Sequence, residues 1–229
     1  MSKKKLLSLA IVVIMVAILS FSTLAWFNDS DSVTNEFFVA DSDDASADDI
    51  FSVDVYEEVD ENGDGVIDET EKEQTGLTFE DVVPGAVLPK APVVKNTGKY
   101  DQWVKLTITF GSTKAWNALV DGQVAGPIDL LTKAADFDAN WKGESFEVAG
   151  QTYVYTYYLQ KALKSGETVD VFTEVNIPAS LEQSDFFGIK DEAITLDVKA
   201  EAVQIELGSS AKEAFEAYIA SQTPVTPNP

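Results

Sequence analysis

The chain has 229 residues, a formal net charge of −23 and neither Cys nor His. That composition excludes a disulfide framework, a Ser-His-Asp triad, a Cys nucleophile and a His zinc ligand. Every basic residue is Lys, and the strong acidity makes nucleic acid and anionic membranes poor partners and cations good ones.

The first 25 residues have the form of a secretory signal. Met1-Ser-Lys-Lys-Lys5 is positively charged, Leu6 to Leu24 is apolar apart from serines and Thr23, and Thr23-Leu24-Ala25 places small residues at −3 and −1 of a cleavage site. The apolar run is nearly long enough to span a bilayer, so an uncleaved anchor is the alternative. Membrane contact is expected only through this segment, before cleavage. Cleavage after Ala25 leaves 204 of the 229 residues, enough for one large β domain or two small ones. Loss of Lys3, Lys4 and Lys5 takes the net charge from −23 to −26. An exported chain without disulfides depends on its core, on bound ions or on assembly for stability.

Cleavage would free the stretch Ala25–Asp41 as a new N-terminus. Phe27, Val33, Phe37 and Val39 are set there among polar residues, a pattern able to dock as a strand on the chain's own body or on a neighbour's. Ser42 to Asp49 is rich in Asp, Ser and Ala and reads as a solvated linker. Residues 26–48 therefore form a strand and linker, 49–220 the folded body, and 221–229, with Pro224, Pro227 and Pro229, a disordered tail.

Within the body, Ile50–Tyr56 alternates, with Phe51, Val53 and Val55 on one face of a half-buried strand. Leu77–Val83 reads as a short strand before the Pro84-Gly85 turn. Val87–Val94 carries Pro89 and Pro92, which confine it to an edge or an irregular strand. Asn96-Thr97-Gly98 marks a turn. Trp103–Phe110 places Val104, Leu106, Ile108 and Phe110 on one face. Lys114–Val120 predicts a short helix and Ile128–Ala135 a second helical turn. Ser145–Val148 and Gln151–Leu159 flank Ala149-Gly150 as a hairpin whose second arm carries Tyr153, Tyr155 and Tyr157 on one face. With Trp141 nearby, that row fits either a platform for sugar rings or cross-strand aromatic packing, and packing is the preferred reading. Val169–Ile177 reads as one strand, and Ala193–Leu207 as a long one with a register change near Val203. Ser209-Ser210 caps a helix over Ala211–Ala220, with Ala214, Phe215, Tyr218 and Ile219 on its apolar stripe and a place at one end of the sandwich. Many strands, many turns and little helix predict an all-β, antiparallel sandwich with a short C-terminal helix.

The sharpest motif is Asp60-Glu-Asn-Gly-Asp-Gly-Val-Ile-Asp-Glu-Thr-Glu71, which fits the EF-hand loop pattern at every specified position. Asp60, Asn62 and Asp64 supply side-chain oxygens, Gly65 permits the turn, Val66 offers its carbonyl, Asp68 acts through water and Glu71 closes the site with both oxygens. Such an all-oxygen set suits calcium. The alternative is an Asp/Gly-rich turn. The preceding segment reads as a strand, so this is an inserted loop without the paired helices of a switching hand, and a structural calcium is expected.

The order of these features resembles the TasA/camelysin family: a Lys-rich signal ending Leu-Ala, Trp26-Phe-Asn-Asp29, a strand, Val83-Pro-Gly-Ala, Val94-Lys-Asn-Thr-Gly98, a Trp/Val/Leu/Ile strand, and Ala202-Val-Gln204 before a last helix. These are exported proteins of Gram-positive bacteria, processed by a dedicated signal peptidase, that form biofilm matrix fibres. The resemblance covers most of the chain. It implies a jelly-roll body and fibres built by donor-strand exchange, in which the processed N-terminus of one copy completes the sheet of the next. The donor strand would run from Trp26 to Val39, with Trp26, Phe27, Val33, Phe37 and Val39 its apolar residues. The calcium-type loop is an insertion relative to the family, and the acidic linker loosens the family's N-terminal spacing. The metallopeptidase label attached to the camelysin branch finds no support in a chain without His-Glu-x-x-His.

The expected function is that of an exported, extracellular structural protein that polymerises with itself head to tail, with other matrix proteins or polysaccharide as further partners, and that is not an enzyme. A calcium-stabilised monomeric adhesin or carbohydrate-binding module is the alternative.

Overall fold

A computed structural model describes residues 29–33, 52–58, 72–73, 82–120, 126–182, 189 and 194–222. The strands are β1 (Asp29–Val33), β2 (Val53–Glu58), β3 (Lys72–Glu73), β4 (Val87–Pro89), β5 (Pro92–Asn96), β6 (Gln102–Gly111), β7 (Leu131–Lys133), β8 (Trp141–Ala149), β9 (Thr152–Leu159), β10 (Thr168–Asp170), β11 (Phe172–Asn176) and β12 (Thr195–Gln204). The helices are α1 (Thr113–Val120), α2 (Phe137–Asn140) and α3 (Ala211–Gln222), with 3-10 turns at Pro127–Leu130 and Ile205–Leu207.

The strands form three antiparallel sheets, in the orders β1-β12-β6-β9-β8, β10-β5-β2-β3 and β4-β11-β7. The protein is thus all-β with a few short helices. The alternation of Gln102–Gly111 does what it predicts: Gln102, Val104, Leu106, Ile108 and Phe110 are buried and their neighbours are half-exposed. Opposite them, Val53, Val55, Val94, Val169, Phe172 and Val175 come from the two smaller sheets, and all belong to one continuous core. Burial of such side chains contributes roughly 1.5–3 kcal/mol each, the main stabilising term in a chain without disulfides. Trp116 on α1 meets the edge of Phe110 at 4.9 Å and donates Nε1–H to the Thr195 carbonyl at 3.2 Å, fastening that helix to the core.

Several expectations need correction. Val169–Ile177 is two strands in two sheets. Val171 lies between them, donating its N–H to the Pro92 carbonyl and accepting from Ala134 N–H, which joins the two smaller sheets. Val171 and Phe172 are both buried, so the period-2 pattern breaks there and Thr173 faces solvent. Ile128–Ala135 is not helical beyond the 3-10 turn; Leu131–Lys133 pairs with β11 instead, because tertiary pairing outweighs a weak local preference. β2 is buried on both faces at Val55, Tyr56 and Glu57. Of the strand expected over 77–83, Val82 and Val83 lie outside any strand, and the remainder falls outside the described residues.

The two prolines partition as their chemistry requires. Pro89 ends the edge strand β4, and Pro92 opens β5 at a first position, although β5 itself lies inside its sheet. The Pro84-Gly85 turn holds Gly85 at φ +81°, where a side chain would be strained. The hairpin β8–β9 turns through Gly150 and Gln151, and β8 begins earlier than expected, at Trp141.

α3 has the predicted cap: Ser210 Oγ accepts from Glu213 N–H, and the Glu213 carboxylate accepts from Ser209 N–H at 3.1 Å and Ser209 Oγ at 2.5 Å. The helix lies on the outer face of the five-stranded sheet and not over an end. There Ala214 and Phe215 pack with Val203, Trp103 and Tyr158 as a second small core. Ile219, expected on the apolar stripe, is 58% exposed.

Candidate functional site

The first element of interest is β1. It pairs antiparallel with β12 and forms one end of the five-stranded sheet. The register sets Asp29 opposite Ala202, Asp31 opposite Ala200 and Val33 opposite Val198. Ala202, Ala200 and Val198 are the core-facing residues of β12, so β1 closes the edge at three small or medium positions with two aspartates opposite alanines. β12 is ten residues long and β1 covers Val198–Ala202 only. Ile194, just beyond the uncovered start of β12, is 41% exposed. Of the expected donor residues, Val33 is the last residue of β1, while Trp26, Phe27, Phe37 and Val39 lie outside the described residues.

The second element is the hairpin of β2 and β3, whose register pairs Glu58 with Lys72 and Glu57 with Glu73. The calcium-type motif falls in the sequence between these two strands. Asp60, Asn62, Asp64, Val66, Asp68 and Glu71 themselves lie outside the described residues. Among the described residues no cluster of acidic side chains is placed to hold a metal. The all-oxygen donor set nonetheless fits a hard divalent cation, with Glu71 positioned by sequence directly before β3.

The base of this hairpin holds a feature that sequence reasoning missed. Glu57 is fully buried and accepts from Lys90 Nζ at 2.5 Å, while Lys90 is itself buried. Burial raises the Glu57 carboxyl above its ordinary value, and Lys90 opposes that rise. Asp197 of β12 is likewise raised by burial, with Lys90 again the offsetting charge. Lys90 therefore offsets the charge of carboxylates from two sheets. Charged residues ordinarily mark the surface, and nothing in the local pattern distinguishes these.

A second buried network joins three loops. Asn96 Nδ2 donates to the carbonyls of Tyr100 and Leu163, both at 2.8 Å; its Oδ1 accepts from Gly98 N–H at 2.9 Å and Gln102 Nε2 at 2.5 Å; Gln102 Nε2 also donates to the Ser52 carbonyl at 3.0 Å. The expected turn at Asn96-Thr97-Gly98 is thus organised around a fully buried side chain.

The tyrosine row is a packing feature. Tyr155 meets the edge of Phe110 at 5.7 Å and Tyr157 that of Phe137 at 5.1 Å, and Tyr153 donates to Asn117 Oδ1 at 2.5 Å. Burial pushes the Tyr157 hydroxyl up to about 12. All three rings are half-buried.

The carboxylates give a pH dependence with a defined sign. Glu58 and Asp170 are raised first by burial and then by nearby negative charge, joining Glu57 and Asp197. Groups raised in the folded state take up protons on folding, so stability increases as pH falls from 7 toward about 5. Burial also acts on Glu201, but hydrogen bonding and charge from Lys105 and Lys199 hold it below its usual value; the Lys164 N–H and Lys161 do the same for Glu167. Their contribution is present above about pH 4.5 and is lost as pH falls further. Thermal unfolding followed by circular dichroism is expected to show a higher Tm at pH 5 than at pH 7 and a decline below about pH 4. A Tm that falls between pH 7 and 5 would contradict this assignment.

These elements define an all-β protein of antiparallel sheets with β1 at one sheet edge. No family model matches the chain, and no curated protein and no solved structure matches it at a significant level.

Proposed function

We propose that the chain is an exported structural protein that polymerises head to tail into extracellular matrix fibres, each copy's N-terminal strand completing the sheet of the next. In this reading the body is a jelly-roll-like sandwich, calcium in the loop 60–71 braces it, and the chain is not an enzyme. Removal of the signal segment at the surface of a Gram-positive cell would free the strand, and other matrix proteins or polysaccharide would be secondary partners.

The observation that supports this reading is β1 itself, a strand added at a sheet edge and separated from the rest of the body by residues 34–52. That length of chain reaches roughly 60 Å when extended, enough to serve its own β12 or a neighbour's. Continued in the same register on a neighbour, residues 34–36 pair with 197–195 and Phe37 comes opposite Ile194. A longer ladder and a covered Ile194 would then stabilise the exchanged strand.

The test is negative-stain microscopy of the chain starting at Trp26 beside the chain starting at Asp49, both in millimolar calcium. Filaments from the longer chain alone are expected. Filaments from both would remove the strand from the mechanism, and monomers from both would favour the monomeric adhesin.

The calcium component has its own test. Glu71→Gln removes one of the two oxygens that close the loop, so more calcium is needed for the same thermal stabilisation. A calcium titration of Tm is expected to shift to about tenfold higher concentration, or about 1.4 kcal/mol of binding free energy. An unchanged titration would remove this loop as the site.

A further inference from the structure

The five-stranded sheet has a second end, at β8. Among the described residues no strand pairs with its outer side. After the buried Trp141, every residue of β8 is exposed. Phe146 and Val148 are 54% and 57% exposed, although Phe146 stacks on Tyr153 at 5.9 Å and lies 4.8 Å from Tyr155. The edge therefore carries an aromatic shelf beside main-chain groups that no described strand pairs with.

We propose that this edge is a self-association surface, on which two copies pair their β8 strands antiparallel about a two-fold axis with Lys142 of one protomer opposite Glu147 of its partner. Residues directly opposite one another in an antiparallel pair share a face. A regular strand paired with its own copy can then join only residues of like parity. β8 is not regular: its register against β9 shifts between Gly143 and Ser145, leaving Glu144 unpaired there, and Glu144 instead accepts from Lys212 of α3. The shift puts Lys142 and Glu147, opposite Tyr158 and Val154, on the outer face, and Gly143 and Phe146, opposite Tyr157 and Tyr155, on the inner face. One self-pairing matches both sets at once. Lys142 meets Glu147 twice across the axis, and Gly143, with no side chain, leaves room for the partner's Phe146 ring.

Charge complementarity selects a second copy over other strands. The pairing places two opposite-charge pairs at the seam of a chain that otherwise repels its copies with a net charge of −23. Physiological salt screens that longer-range repulsion more than it weakens the contact pairs. The result is a continuous ten-stranded sheet made of two five-stranded ones. Since β1 occupies the opposite end of the sheet, this contact is independent of strand exchange. In a filament it would join neighbouring filaments side by side.

The absence of Cys permits a direct test. Chains starting at Trp26 and carrying Lys142→Cys are mixed with chains carrying Glu147→Cys at 0.15 M salt with oxidised glutathione, and run on a non-reducing gel. Both positions are exposed, so neither change perturbs the core. Directly opposite residues in such a pair come close to the Cβ spacing that a disulfide spans, so a small adjustment of the strands lets the bond form. Covalent dimer is expected in the mixture and not from either chain alone, since like positions lie far apart along the antiparallel seam. Phe146→Lys added to both chains is expected to abolish the dimer. No excess of dimer in the mixture would mean that the bulge and Lys142 guard the edge against pairing, and would overturn the proposal. Because the readout is a bond at β8, dimer without filaments, or filaments without dimer, separates this contact from the head-to-tail reading.

Discussion

Lys90→Ala is expected to cost about 3–5 kcal/mol, because it leaves a buried carboxylate uncompensated. Glu57 is fully buried and its Oε1 accepts from Lys90; without Lys90 the Ala91 main-chain N–H, a weaker influence, is left to offset its charge. Asp197 loses its offsetting charge in the same step. The loss is expected to be smaller at pH 5 than at pH 7, since protonation of Glu57 removes the stranded charge; a raised carboxyl disfavours the folded state increasingly as pH rises from its ordinary value through its folded value, and fully above that. Replacing the pair together, Glu57→Leu with Lys90→Met, should recover most of the stability, as apolar substitutes for buried ion pairs often do. Chemical denaturation at the two pH values checks all three statements. A loss from Lys90→Ala that is small and independent of pH would show that the pair is solvated. Glu57 also stands at the base of the calcium-type hairpin, opposite Glu73, so Lys90→Ala is expected to weaken the calcium response as well.

Asn96→Ala is expected to cost about 3 kcal/mol, since it removes four hydrogen bonds in a buried setting and leaves their partners without replacements. Three loops lose their common tie at the same time: Ser52 ahead of β2, the turn from Thr97 to Tyr100, and Leu163. Asn96→Asp is a sharper variant, because it keeps the acceptor for Gly98 and Gln102 but replaces both donations to carbonyls with repulsion between oxygens. Equilibrium denaturation of both is the check. A loss below about 1 kcal/mol for Asn96→Ala would mean that water substitutes at the site.

Much of the fold was legible where one face of a strand or helix is buried and the other is wet. The alternation in Trp103–Phe110 and the Ser210–Glu213 cap each write their structure locally. Legibility failed where the structure depends on distant partners. Val169, Val171, Val175 and Ile177 are compatible with one strand; the out-of-phase Phe172 was the signal that Val171 joins two sheets. Leu131–Lys133 has no strand pattern of its own and is a strand because β11 lies beside it. Glu57, Lys90 and Asn96 read as surface or turn residues, because burial of a polar group is set by its partner and the partner is remote. At the candidate site, the strand-forming stretch around Val33 was legible, while its pairing with β12 is a long-range register and was not. The burial of the tyrosine row was preferred on general grounds, and the Phe110 and Phe137 rings supply its reason.

The central claim is that β1 of one copy pairs with β12 of another. The register sets Ser32 opposite Lys199, so a disulfide between these positions reports the pairing. Chains starting at Trp26 with Ser32→Cys are mixed with chains carrying Lys199→Cys under mild oxidation. The account predicts covalent dimers that join the two kinds of chain, in amounts that grow with protein concentration and fall when an excess of chain without either substitution is added. Absence of such dimers, with a rapid bond inside a single chain that carries both substitutions, would show that the strand serves only its own body and would contradict the account.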